Sequence, residues 1–194
     1  LSNQIDKSFA DIGKKVSLLK GKLIVMGVGK SGHVGQKVSA TLASTGTPSF
    51  FIHPTEAAHG DLGMIAKDDA VLIFSNSGET KEVTEILPAL KRMTSDIFSI
   101  TGNANSSIAK ASSVHLKVQV KKEACPHDLA PTSSTTASMV IGDALAISLM
   151  NKKEFKPEDF AKSHPGGTLG KKLLLSAKDV MSSGDEIPII EHDM

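Results

Sequence analysis

Five short apolar runs rich in β-branched residues, with helical patterns between most of them, recur along this chain: Leu23 to Val28, Ser49 to Ile52, Ala70 to Phe74, Ile97 to Ile100 and Val114 to Val120. After the first run Val34, Val38 and Leu42 recur every fourth residue. After the third, Val83, Ile86, Leu87 and Leu90 form an apolar face with Lys81, Glu82, Glu85 and Lys91 interspersed. Strands alternating with helices pack as a parallel sheet covered on both faces, so the chain reads as an α/β fold. Ligands of such sheets bind beyond the carboxyl ends of the strands, which directs attention to the loops after the first, third and fifth runs. A long helix is expected from about Ser133 to Met150, begun by Pro131 and a Ser/Thr cluster. Its second half is apolar almost all round, which suits burial in the core or contact with another subunit.

Composition narrows the function. The 194 residues fit one large domain, or one domain and the stub of a second. Hydrophobic residues at 40% and charged residues at 22% describe a globular chain and exclude a disordered tail. Lys and Arg number 22 against 21 Asp and Glu, and Trp and Tyr are absent. Without a basic stripe or stacking aromatics, nucleic acid is not an expected partner. No run approaches the roughly 20 apolar residues of a membrane span, so no membrane is expected either. The single cysteine, Cys125, can form neither an internal disulfide nor a cysteine zinc cluster, which suits a reducing compartment and is read as the cytoplasm.

Three loops carry the candidate chemistry. Gly27-Val28-Gly29-Lys30-Ser31-Gly32 fits G-x-G-x-x-G between a strand and a helix. A P-loop would need glycine where Ile24 stands, and a dinucleotide site would need an acidic residue where the second strand ends Ile52-His53-Pro54. What remains is a glycine-lined turn with Lys30 near a helix N-terminus, a cradle for an anion or a tight turn with a solvated lysine. Ser75-Asn76-Ser77-Gly78-Glu79-Thr80 offers three hydroxyls and an amide at a helix opening, more donors than a cap requires and suited to a phosphate. After the fifth run, Glu123 stands at a strand end, available for proton transfer or merely an exposed loop glutamate. The tract Thr132-Ser133-Ser134-Thr135-Thr136 can cap the long helix and face a ligand. The spacing of His53, Glu56 and His59 differs from H-E-x-x-H and is a weak zinc pattern. His164 lies in a Pro/Gly turn, as surface filler or as a proton carrier.

Taken together, Met26-Gly27-Val28-Gly29-Lys30-Ser31-Gly32-His33, Ser44-Thr45-Gly46-Thr47-Pro48, Glu56-Ala57-Ala58-His59-Gly60-Asp61, Ser75-Asn76-Ser77-Gly78-Glu79, Ala130-Pro131-Thr132-Ser133-Ser134-Thr135-Thr136 and Ser163-His164-Pro165-Gly166-Gly167 resemble the sugar isomerase (SIS) domain of arabinose-5-phosphate isomerases, the KdsD/KpsF/GutQ family. The resemblance implies a three-layer α/β/α sandwich with a five-stranded parallel, flavodoxin-like sheet, and a homotetramer with sites near subunit interfaces. It implies interconversion of D-ribulose 5-phosphate and D-arabinose 5-phosphate for Kdo and lipopolysaccharide synthesis in a Gram-negative cytoplasm. Residues 1–176 would be the SIS domain and 177–194 a linker and the start of a truncated CBS domain. By the same resemblance Lys30, Glu82, Glu123 and His164 are catalytic, Gly46, Thr47 and His59 belong to the substrate region, and an inhibitory zinc is associated with His53. Gly46 and Thr47 precede a strand, the wrong end of the sheet for a site in the same chain, and could serve a neighbouring subunit.

Aldose–ketose isomerisation moves one proton between C1 and C2 and requires no redox cofactor. On this reading Ser75, Ser77 and Thr80, with Asn76 in the same loop, bind the phosphate and Ser31 assists. Lys30 stabilises the enediolate oxygen, and His164 opens the ring or shuttles a hydroxyl proton. Glu123 is favoured as base, with Glu82 orienting Lys30 or the hydroxyls. The competing chemistry is a metal-dependent enediol with His53 and His59 as ligands. The alternatives in function are a sugar-phosphate sensor that binds without turnover, and another phosphosugar isomerase such as phosphoheptose isomerase.

Overall fold

The computed structural model describes residues 4–174, 176–187 and 189. Its first compact unit, Leu1–Phe155, is built on five strands: β1 (Leu23–Gly27), β2 (Ser49–Ile52), β3 (Ala70–Ser75), β4 (Ile97–Thr101) and β5 (Val114–Lys117). Every pairing is parallel and the order is β2-β1-β3-β4-β5. The order reverses between β1 and β3, which opens a crevice at their carboxyl ends.

Helices cover both faces. Leu23 and Val25 of β1, Leu72 and Phe74 of β3, and Phe98 and Ile100 of β4 pack beneath α1 (Lys7–Ser17), α2 (Gly29–Ser44) and α7 (Ser133–Lys152). Ile24, Met26, Val71, Ile73 and Ile97 point the other way. They meet α3 (Pro54–Ala58), α4 (Lys81–Thr84), α5 (Leu87–Met93) and α6 (Ser107–Ala111). Adjacent strand residues thus enter opposite cores, which is why the strands read as unbroken apolar runs rather than alternating ones. Each such fully buried Ile, Leu or Phe stabilises the fold by about 1.5–3 kcal/mol. This is the expected three-layer α/β/α sandwich.

Boundaries differ from the sequence reading where local chemistry intervenes. The single apolar face expected after β3 is delivered by two helices. Pro88 occupies the first turn of α5, where its missing N–H is tolerated, and the chain between α4 and α5 jogs at Glu85 and Ile86. Val83, Ile86, Leu87 and Leu90 are nonetheless all buried. β5 stops at Lys117 rather than Val120. Beyond it the Gln4 side chain donates to Gln119 O at 2.8 Å and accepts from Gln119 N at 2.8 Å. α7 crosses α2 so closely that a Cβ on Gly142 would lie 2.3 Å from Val38 Cγ2.

The second compact unit, Lys156–Met194, holds α8 (Pro157–Ser163), α9 (Thr168–Leu174) and α10 (Ala177–Val180). The unit boundary falls before the one expected at residue 176, and a short helix and a 3-10 turn (Gly184–Glu186) occupy the expected linker. Pro188 and residues 190–194, the end of that segment, lie outside the described residues. No helix among the described residues is long and apolar enough to cross a membrane.

Candidate active site

Three segments converge at the crevice between β1 and β3. A cavity of about 150 Å³ is lined by Lys30 and Ser31 from the start of α2, Asn76 from the loop after β3, and Ser134, Thr135 and Ser138 from the first turns of α7. One cation and several hydroxyl and amide donors, with no carboxylate among the lining residues, suit an anionic ligand. The glycine turn is shaped for it. Gly29 holds φ +57°, and a Cβ on Gly27 would lie 2.9 Å from the Ser31 backbone, so only glycine lets β1 turn this sharply into α2.

The loop Ser75–Thr80 is closed on itself. Ser75 is buried; its Oγ accepts from Gly78 N at 3.0 Å and pairs with Thr80 Oγ1 at 2.9 Å. Two of the three hydroxyls expected to hold phosphate therefore bind each other and shape the loop. Ser77 and Asn76 are exposed, and Ser77 Oγ accepts from Glu79 N at 3.2 Å. Gly78 has φ +69°, and a Cβ there would meet Ser106 Oγ at 2.1 Å.

Glu123 departs most from expectation. It is only 9% exposed, and its Oε2 accepts from Thr132 N at 2.7 Å, Thr132 Oγ1 at 3.1 Å and Ser134 N at 3.1 Å. Burial pushes its pKa up, but the N–H groups of Thr132 and Ser134 and the Thr132 hydroxyl outweigh it and hold the carboxyl at about 2. The capping of α7 expected from the Ser/Thr tract is thus supplied by a carboxylate from outside the helix, and the N-cap Thr132 makes no side-chain cap bond. The buried Ser134 hydroxyl beside that carboxylate has no partner at hydrogen-bonding geometry. In the same loop Cys125 Sγ accepts from Leu129 N at 3.1 Å and Ala130 N at 3.2 Å, which lowers the thiol pKa.

Other expected residues lie apart from the lining of this cavity. Glu82 is exposed in the first turn of α4. His53 caps α3, accepting from Thr55 N at 3.3 Å, and His59 ends the same helix, exposed. Among the described residues no three His, Cys, Asp or Glu side chains come together as a metal-ligand set, so the residues around His53 do not fit a zinc site within one chain. Gly46 and Thr47 precede β2, at the opposite end of the sheet. Lys153 Nζ donates to Gly46 O and to Thr47 Oγ1, both at 3.1 Å, and the ring of Phe155 fills the space where a Gly46 Cβ would be. In the second unit, His164 stacks on Phe160 with ring centroids 3.9 Å apart, and its Nδ1 lies 3.0 Å from Phe160 O. Ser134 and Thr135 belong to the tract expected to face a ligand, whereas Ser138 was not singled out from sequence. The signal available was its register on α7 with Ser134, four residues before Ser138 on one helical face.

Comparison with known proteins agrees with this geometry. The SIS domain family matches residues 19–148. Arabinose 5-phosphate isomerase KdsD of Escherichia coli strain K12 is 56% identical over 191 residues, covering 98% of this chain and 58% of that relative. KdsD of Pseudomonas aeruginosa is also 56% identical, over 95% of this chain and 59% of its own length. The chain thus spans a little under three fifths of these curated relatives. A solved structure, that of E. coli CFT073 c3406 in complex with arabinose 5-phosphate, matches with a TM-score of 0.81 and 47% identity over 84% of this chain and 89% of that one. With the family model matching well over half of its residues, this chain belongs to the SIS domain family.

Proposed function

We propose that this chain is the isomerase domain of an arabinose 5-phosphate isomerase, interconverting D-ribulose 5-phosphate and D-arabinose 5-phosphate through an enediolate. The observation that carries the reading is the cavity at the β1/β3 crevice with Lys30, Ser31, Asn76 and Ser134 around it. It is supported by 56% identity to relatives named for this activity and by similarity to a chain solved with arabinose 5-phosphate.

In the aldose-to-ketose direction a base takes the C2 proton, the carbonyl oxygen gains a proton while the O2 hydroxyl loses one, and the abstracted proton returns to C1. Lys30 stabilises the developing negative oxygen, and Ser31, Asn76 and Ser77 donate to the phosphate. Glu123 Oε2 is engaged by Thr132 and Ser134, which supports a positioning role beside the expected role as base. Glu123 holds the first turn of α7, and a glutamate, Glu123 or Glu82, carries the proton. His164 assists ring opening: a proton on Nδ1 donated to Phe160 O would leave Nε2 as the acceptor. No redox cofactor is needed. The chain would act in the cytoplasm for Kdo and lipopolysaccharide synthesis, with residues 177–194 leading into a CBS domain. Val140 and Ile147, 49% and 48% exposed and seven residues apart on α7, support contacts between subunits in a homotetramer.

The test is NMR of the chain with arabinose 5-phosphate in D2O containing EDTA. Formation of ribulose 5-phosphate with deuterium incorporation is the expected result. Binding without conversion would identify a sensor instead. Conversion lost in EDTA and restored by metal would replace the proposed chemistry with a metal-assisted one.

A further inference from the structure

The serine loop contains a carboxylate that phosphate binding does not call for. Glu79 lies between Gly78 and Thr80, two residues from Ser77, where a free negative charge would repel a dianion. The structure disposes of it in a specific way. Glu79 Oε1 accepts from Ser107 N at 2.8 Å, at the first residue of α6. The same junction carries Ile108 N donating to Gly78 O at 3.1 Å, and Gly102 N donating to Asn76 O at 2.9 Å. The Ser107 hydrogen bonds, aided by Lys110, lower the Glu79 pKa, so the side chain stays ionised while attached to α6.

We propose that Glu79 is a positioning residue for the phosphate loop: its carboxylate locks the loop to the start of α6 and thereby aims the Ser77 hydroxyl. Glu79 N donates to Ser77 Oγ at 3.2 Å, which occupies a lone pair of that oxygen and leaves the hydroxyl hydrogen for an incoming acceptor. The orientation of Glu79 N is fixed from one side by the Ser77 turn and from the other by the bond to Ser107. The carboxylate therefore acts twice, as an anchor and by being held against an N–H rather than facing the ligand. This inference rests on the reading of Ser75–Thr80 as the phosphate loop.

The experiment compares Glu79→Ala, Glu79→Gln, Ser107→Pro and Ser77→Ala, reading the calorimetric Kd for arabinose 5-phosphate, kcat, and backbone amide exchange at Ser107. Glu79→Gln keeps an acceptor for Ser107 N. Ser107→Pro deletes that N–H at the first helical position, where proline is tolerated, and Ser106 already has φ −69° and ψ 160°, as a residue before proline prefers. The expected result is Kd raised about tenfold by Glu79→Ala and by Ser107→Pro, with kcat within about twofold of wild type. The double variant should be no weaker than either single one, and Glu79→Gln should bind within about threefold of wild type. Ser107 amide exchange should accelerate in Glu79→Ala and stay slow in Glu79→Gln. The proposal is overturned if Ser77→Ala weakens binding and Glu79→Ala does not, if Glu79→Gln is as weak as Glu79→Ala, or if Ser107 exchange is the same in wild type, Glu79→Ala and Glu79→Gln. If Ser77→Ala leaves binding unchanged, the phosphate-loop reading itself fails, while the exchange data still decide whether Glu79 fixes the loop.

Discussion

The loops after β3 and after β5 both feed the candidate site, yet they are held in different ways. Ser75–Thr80 closes through bonds between neighbours in sequence: Ser75 to Gly78 and Thr80, Ser77 to Glu79. In the loop leading to α7, besides the local Cys125 bonds, the Glu123 carboxylate spans nine and eleven residues to reach Thr132 and Ser134. Short-range bonds close the first loop, and Glu79, Gly78 and Asn76 tie it to Ser107, Ile108 and Gly102. In the second, a buried charge is added to such local bonds, and it meets the first turn of α7 at Ser134.

The sharpest way to break this contrast is to remove the charge. Glu123→Ala abolishes three hydrogen bonds to an ionised acceptor and leaves two backbone donors at the start of α7 without a partner. The folded pKa lies below the unfolded one, so the carboxylate stabilises the fold fully above the unfolded value and progressively less as pH falls from about 4.5 to about 2. That gap sets an upper bound of about 3 kcal/mol, reduced by solvent screening. Urea denaturation at pH 7 should show Glu123→Gln less stable than wild type by up to about this amount, with the difference shrinking at pH 3. A difference independent of pH would deny Glu123 its role as an ionised cap.

Breaking the other loop should do less. Ser75→Ala leaves the Gly78 N–H without its acceptor at a buried position, at a cost of about 1–2 kcal/mol, and frees Thr80 Oγ1. The same urea titration should find this loss nearly equal at pH 7 and pH 3, because no ionised group is involved.

The smallest effect concerns His115 on β5, just upstream of the second loop. Its Nδ1 lies 3.1 Å from Ser99 Oγ, and its Nε2 is buried without a partner. Burial lowers its pKa, against the opposing pull of the Ser99 hydrogen bond and Asp6 and with some help from Lys117. A folded pKa below the unfolded value means that the neutral ring stabilises the fold above about pH 6.5 and this contribution fades as the pH falls below it. His115→Gln should flatten the stability profile below pH 6.5 by a fraction of the Glu123 effect, and a profile unchanged by the substitution would remove His115 from the account.

Much of this frame was legible because it rests on period and local chemistry. β-branched runs gave the strands. Their unbroken apolarity implied burial on both faces, and the glycine spacing placed the turn into α2. The second loop was not legible, since nothing near Glu123 in sequence announces that it will cap a helix begun ten residues later. Nor does the sequence announce that Ser75 is buried with its hydroxyl accepting from Gly78 N: a hydroxyl beside a glycine turn has its own backbone as a competing partner. The two-helix break at Pro88 lay in plain view, hidden by an apolar face that continues across it.

The Gln4 carboxamide gives Gln119 the same pair of bonds that an adjoining strand would offer. A parallel sheet ends on each side in a row of peptide groups that can recruit another chain, and just beyond β5 that invitation is answered from within, by a side chain imitating a backbone. This stretch of sheet margin is thereby closed to a further strand.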